Sequence, residues 1–165
     1  ARGIDERKVV SARGAKTISG ETTFETDLRD FVALERTLWR LCEKVSDRLK
    51  SANLAGTTVT LKLKTADFRQ RTRARSIATP TQLARRIFAT SRDLLANEID
   101  GTAFRLLGVG VSALRPGAEA DDTDLLDRRS AHAERAVDDL RRKFGEAAVM
   151  RGIVYDGPSP RPGKK

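Results

Sequence analysis

A two-layer α+β sandwich is the fold this sequence predicts: a four-stranded sheet with two helices on one face, in the order β-α-β-β-α-β, followed by a C-terminal linker and an extra helix. Three observations predict it. Four stretches alternate apolar and polar residues with the period of a strand, two longer stretches place apolar residues every three or four positions, and they occur in that order between residues 15 and 114. Each element is apolar on one side only. Strands and helices therefore bury their apolar sides against each other, and the sheet's second face is left to water or a ligand.

Residues 1–14 show no sustained period and read as a tether; the chain opens on Ala1 rather than methionine, as a piece of a longer protein would. From Lys16 to Phe24, Ile18 and Phe24 take one parity and Thr17, Ser19, Glu21 and Thr23 the other, which predicts a first strand with a hydroxyl-rich open face. Asp27 is the expected cap of a helix whose stripe runs Leu28, Phe31, Leu34, Leu38, Cys42, Val45, Leu49 and Ala52 and stops near Ala55-Gly56. Val59, Leu61 and Leu63 then alternate with Thr60, Lys62 and Lys64 as a second strand, and the hairpin returns through Arg69, Arg71, Arg73 and Arg75. Thr79-Pro80-Thr81-Gln82 predicts a helix start, with Thr79 as cap, Pro80 at the first helical position and Gln82 closing a capping box. Leu83, Ile87, Thr90 and Leu94 form that helix's face, Asp100-Gly101 turns the chain, and Leu107, Val109 and Val111 share one side of a last strand from Ala103 to Leu114.

After Pro116 the composition changes. Residues 115–129 read as an acidic linker, since Arg115 to Asp127 holds five acids against one base. Residues 130–150 recover helical periodicity through Ala133, Val137, Leu140 and Phe144, and residues 151–165 form a proline-rich basic tail expected to be disordered.

An apolar share of 39% and a charged share of 33% suit a soluble domain, and no apolar run approaches the roughly 18 residues of a membrane span. A single cysteine, Cys42, excludes an internal disulfide framework and a cysteine zinc site, and its place in a helical stripe predicts a small buried hydrophobe. No signal peptide opens the chain, so a cytoplasmic setting is expected; a monomer is the expected assembly.

Charge and periodicity meet in the hairpin from Thr57 to Thr79, where six Lys or Arg face one acid, giving +5 of the chain's net +9. Arg69, Arg71, Arg73 and Arg75 recur at every second residue, so in an extended strand all four guanidinium groups leave one face about 6.6 Å apart. Parity predicts that they share the open face with Lys62, Lys64, Thr17, Ser19 and Thr23, while Glu21 on that face is expected to pair with an arginine and Lys16, just before the strand, is a further candidate DNA contact. Fixed cations and hydroxyls on a rigid sheet suit backbone phosphates, bound electrostatically and without sequence reading. The same basic sheet also suits an acidic protein or RNA. An RRM-like module shares the element order, but its aromatic signature is missing and Phe68 is the hairpin's one aromatic residue, which argues against base stacking and for a face that meets backbones. No catalytic or metal-binding residue is expected: His132 has no nucleophile beside it, Asp121, Asp122, Asp124 and Asp127 sit in a linker without rigid support, and the glycines of LLGVGV lie in a strand.

The segments AKTISGETTF (15–24), VTLKLKTADFRQRTRA (59–74), TPTQL (79–83) and FRLLGVGVSAL (104–114) resemble, in this order, the C-terminal "little finger" domain of Y-family translesion DNA polymerases, most closely the bacterial DNA polymerase IV type. ARGID at 1–5 is similar to the end of the preceding thumb domain. The resemblance implies a sheet laid in the major groove of primer-template duplex DNA, with Thr17 and Ser19 on phosphates, Arg73 and Arg75 toward the template, and Arg105 as a last-strand contact. It implies that the parent chain is an error-prone DNA polymerase acting in damage tolerance, that its Mg2+ belongs to the palm domain, and that this fragment holds no cofactor. Relatives bind the sliding clamp (beta subunit) through a peptide of the form Q-x-x-L-F, and Asp122-Thr123-Asp124-Leu125-Leu126 resembles a degenerate copy whose Asp122, Leu125 and Leu126 would make the contact.

Overall fold

The computed structural model describes residues 16–120, 125–145 and 149; the expected tether at 1–14 and tail at 151–165 lie outside them. Its elements are β1 (Thr17–Leu28), α1 (Phe31–Ser51), β2 (Leu54–Thr65), β3 (Gln70–Thr81), α2 (Ala84–Ala96), β4 (Phe104–Pro116), a 3-10 turn (Gly117–Glu119) and α3 (Leu125–Phe144). The order β-α-β-β-α-β holds. The four strands form one antiparallel sheet in the spatial order β1-β4-β2-β3, so β1 and β3 are its edges.

The apolar parities become one layer. Val59, Leu61 and Leu63 of β2 and Leu107, Val109 and Val111 of β4 meet Leu34, Leu38, Leu41, Cys42, Val45 and Leu49 of α1 and Ile87, Leu94 and Leu95 of α2. Trp39 and Phe88 close the seam between the helices edge to face, with ring centroids 5.0 Å apart. Burial pushes the Cys42 thiol up to about 12, against a smaller opposing effect of its Ser91 hydrogen bond, so it packs as a hydrophobe.

Several boundaries differ from expectation. Asp27 does not cap α1: β1 continues through a bulge to Leu28, and Asp30 accepts from Ala33 N at 2.8 Å instead. α1 stops at Ser51, before Ala55-Gly56. Gly56 serves a close approach in β2, because a Cβ there would stand 2.4 Å from Val111 Cγ1 and 2.7 Å from the Ser112 carbonyl. The Thr79-Pro80-Gln82 capping box is also corrected. Pro80 lies in β3, where an edge strand tolerates a residue without an N–H, and α2 begins only at Ala84 with Leu83 as a cap lacking a side-chain acceptor.

The missing acceptor comes from far along the chain. Glu134 of α3 is buried and accepts from Ala84 N (2.8 Å) and Arg85 N (3.4 Å) at the start of α2, from Ser46 Oγ (3.2 Å) and from Lys50 Nζ (2.9 Å). A carboxylate on the first amides of a helix also meets the positive end of its dipole. Asp138 adds a second contact to Lys50 at 2.5 Å, and Arg141 reaches Glu43 at 2.9 Å. Ala131, Glu134, Asp138 and Arg141 recur every three or four residues, so one stripe of α3 lies against α1 and the head of α2. Residues 115–129 are therefore not wholly linker: β4 and the 3-10 turn take the first part, and α3 starts at Leu125, five residues before the expected Ser130.

Candidate nucleic-acid interface

Cross-strand register assigns every side chain to a face, since directly opposed residues in an antiparallel pair point the same way. Thr17, Ser19, Glu21 and Thr23 of β1 oppose Ser112, Gly110, Gly108 and Leu106 of β4, which oppose Thr58, Thr60, Lys62 and Lys64 of β2. These in turn oppose Ser76, Ala74, Thr72 and Gln70 of β3. This is the face away from the helices. It is lined by hydroxyls, with Leu106 as its largest apolar side chain and with Gly108 and Gly110 buried between the flanking side chains of β1 and β2. Thr17, Ser19, Thr23, Lys62 and Lys64 lie on it as expected, and Lys16 precedes its first strand. Glu21 pairs with Lys62 at 2.8 Å rather than with an arginine.

The arginine ladder does not join them. Arg71, Arg73 and Arg75 oppose Leu63, Leu61 and Val59, which places all three on the helix-facing side of the edge strand. The cause is the turn. Ala66, Asp67 and Phe68 form a three-residue loop, so odd-numbered residues of β3 face odd-numbered residues of β2. At an edge strand that side is only partly covered, and the guanidinium groups reach out over the flank of α2. Arg71 bonds Asp100 at 3.0 Å, Glu98 at 3.5 Å and Thr102 Oγ1 at 3.2 Å; Arg73 meets Glu98 at 2.7 Å; Arg75 meets Asp93 at 3.0 Å. Glu98 is buried just past the C-terminus of α2, where a carboxylate is repelled by the helix dipole, and two arginines hold its charge. Thr102, through its hydroxyl and its N–H, and Arg71 hold Asp100 down to about 2. Arg69 stands at the turn and pairs with Asp67 at 2.9 Å, and the Thr65 hydroxyl, followed by Arg69, keeps that carboxyl below its ordinary range.

A different group of cations remains open. Arg105 lies at the irregularity where β2–β4 register slips between Lys64 and Thr65, and its guanidinium sits 4.1 Å from the centroid of the Phe68 ring. Lys64 Nζ stands 5.4 Å from the same ring. Among the described residues, neither Arg105 nor Lys64 makes an ion pair with an acid, whereas each of the four ladder arginines does. Sequence parity missed this cluster because its members come from a strand end, a turn and a bulge.

Among the described residues no group of His, Cys, Asp or Glu is arranged to hold a metal ion, and His132 is exposed on α3. Of the expected clamp contacts, Leu125 and Leu126 open α3, while Asp122 lies outside the described residues. No helix among them is long and apolar enough to cross a membrane.

The model of the impB/mucB/samB family C-terminal domain matches residues 15–125. DNA polymerase IV of Brucella melitensis is 52% identical over 158 residues, covering 94% of this chain and 36% of the relative. DNA polymerase IV of Caulobacter vibrioides is 45% identical over 163 residues, covering 95% and 40%. The chain thus spans a little over a third of the length of these relatives. Among solved structures, a complex of the beta-clamp processivity factor with the little finger domain of PolIV matches with a TM-score of 0.52 at 26% identity, over 61% of this chain and 90% of that one. A Y-family DNA polymerase chimera matches with a TM-score of 0.55 at 14% identity, over 61% and 29%, which speaks for the fold alone. The shared sheet, the helix pair and the extent of the family match lead to one conclusion: the chain belongs to the impB/mucB/samB family as its C-terminal domain, the little finger type found in DNA polymerase IV.

Proposed function

We propose that this chain is the non-catalytic DNA-binding domain of an error-prone translesion DNA polymerase, gripping primer-template duplex through backbone phosphates in damage-tolerance synthesis. One observation carries the reading: among the described residues the sheet leaves a whole face free of helices and lines it with Thr17, Ser19, Thr23, Thr58, Thr60, Thr72, Ser76 and Ser112. Hydroxyls and strand-end cations are donors for phosphate oxygens and carry no base information. Lys62, Lys64 and Arg105 supply the charge on this face, and Lys16 adds a cation just before its first strand. Arg73 and Arg75 border it at the β3 edge and reach the duplex only by leaving Glu98 and Asp93; Arg71, held by three partners, is a structural residue, and Arg69 at the turn is a peripheral contact. Catalysis and its Mg2+ belong to the parent polymerase's palm, which functions in the cytoplasm, and the domain acts as a monomer.

The test is duplex affinity of the 165-residue chain as a function of salt. Replacing Lys62, Lys64 and Arg105 together by alanine reduces the slope of log affinity against log salt by about 2.7 if each neutralises one phosphate. An unchanged slope, or tighter binding to an acidic protein than to duplex DNA, would overturn the assignment. A second contact, to the sliding clamp, is supported by the similar PolIV little finger domain, which was solved in complex with the beta-clamp processivity factor, and by Leu125-Leu126 at the head of α3. Leu125→Ala with Leu126→Ala abolishes clamp binding and spares DNA binding on this reading.

A further inference from the structure

The β2–β3 turn is a three-residue loop closed by Phe68 N donating to Thr65 O at 2.9 Å and Arg69 N donating to Thr65 Oγ1 at 3.1 Å. Its last residue is left-handed, and that place favours glycine or asparagine. Here it is Phe68, at φ 66°, with 64% of its surface exposed. A large aromatic ring held in a strained backbone and turned to solvent contributes nothing to the core. What it does contact is charge: Arg105 lies over the ring at 4.1 Å and Lys64 at 5.4 Å.

We propose that Phe68 and Arg105 form a stacking platform for one unpaired nucleobase of single-stranded DNA, with Lys64 meeting the adjoining phosphate. A guanidinium plane resting on an aromatic ring offers its outer side to a further planar group, and bases stack on arginine and on aromatic faces alike. Arg105 and Lys64 have no acidic partner among the described residues, so both charges are free to meet a phosphodiester chain. The platform stands at the end of the hydroxyl-lined face. A duplex that lies on that face and ends there would bring its unpaired strand to the platform. The lone aromatic of the hairpin, which in the sequence argues against base stacking, gains a guanidinium partner from β4, and this single platform differs from the aromatic rows of RNA-binding sheets because it takes one base and reads no sequence.

The inference rests on the DNA-binding reading, and three probes separate the two: a blunt duplex, the same duplex with a short overhang carrying 2-aminopurine, and the overhang strand alone. The unmodified 165-residue chain binds the overhang duplex tighter than the blunt one, by roughly 5- to 150-fold, the range given by one base on an aromatic group, and 2-aminopurine emission changes on binding. Phe68→Gly relieves the left-handed backbone, so Tm does not fall, yet the ratio of overhang to blunt affinity drops to one and the emission change disappears; Phe68→Tyr keeps both. If the unmodified chain binds blunt and overhang duplexes equally, or Phe68→Gly keeps the preference, the platform is wrong while duplex binding stands. If overhang strand binds in a Phe68-dependent way and blunt duplex does not bind at all, the platform stands and the duplex reading falls. If none of the probes binds at low salt, both fall.

Discussion

Replacing Glu134 by alanine should release α3 from the domain. The carboxylate takes two amides at the head of α2, at 2.8 and 3.4 Å, together with Ser46 Oγ and Lys50 Nζ. Two of these donors keep another acceptor, since Ser46 also bonds Gln82 O at 2.6 Å and Lys50 also bonds Asp138 at 2.5 Å. The loss is therefore dominated by the amides. A hydrogen bond to a charged acceptor contributes about 1.5–3 kcal/mol, and the longer of the two belongs at the low end, so about 3 kcal/mol of docking free energy disappears. That shifts the docked-to-undocked ratio roughly 150-fold. Amide hydrogen exchange reads it directly: protection across α3 and at Ala84 and Arg85 falls by about that factor, while central amides of β2 and β4 keep theirs. Glu134→Gln, which keeps an acceptor without the charge, falls between. Unchanged protection in α3 would refute the reasoning, and so would a loss spread evenly through the sheet, which would make Glu134 a support of the whole domain.

Arg71→Ala with Arg73→Ala leaves Glu98 buried without its cations, at a cost of about 3 kcal/mol and on the order of 10 °C in Tm, whereas Arg75→Ala, which breaks an exposed pair, stays within about 1 kcal/mol; calorimetry separates them. Burial, and then the nearby Asp138, raise Asp47 above its ordinary 3.8, so its ionisation opposes folding at neutral pH; Asp47→Asn raises Tm at pH 7 and has no effect below pH 3.8. Asp100 has the opposite sign. Its depressed value contributes stability above 3.8 that is lost as pH falls toward about 2, so in an acid titration followed by NMR the Asp100 contacts to Thr102 and Arg71 persist until the pH nears 2, and their loss near pH 4 would contradict the assignment. Cys42, held at about 12, resists thiol reagents at pH 8 until the protein unfolds, and a fast reaction in native buffer would contradict its burial.

The sandwich was legible because its signals are local: period two in Val59, Leu61 and Leu63, and steps of three and four from Leu34 to Leu49, each reflect one side of one element. The open face of β1 was legible for the same reason. The side taken by the arginines was not, because parity within a strand says nothing about parity between strands. That depends on loop length, and the signal was present in Ala66-Asp67-Phe68 as a count of three. Pro80 misled because a proline that starts a helix and a proline on an edge strand look alike until the strand order is known. Glu134 could not be read at all. A carboxylate that caps a helix 50 residues away leaves no periodic trace in the sequence.

The placement of β4 between β1 and β2 has a consequence for how the chain assembles. The β2–β3 hairpin can close on itself, but β1 has no neighbour other than β4, and the core side chains Leu107, Val109 and Val111 arrive with that strand. Until residues 104–116 have left the ribosome, β1 and β2 each expose a full row of unpaired backbone groups, and α1 lacks one of the strands it covers. Closure then joins segments close to ninety residues apart in a single late step, a topology that folds slowly for its size and is open to misassociation in the interval.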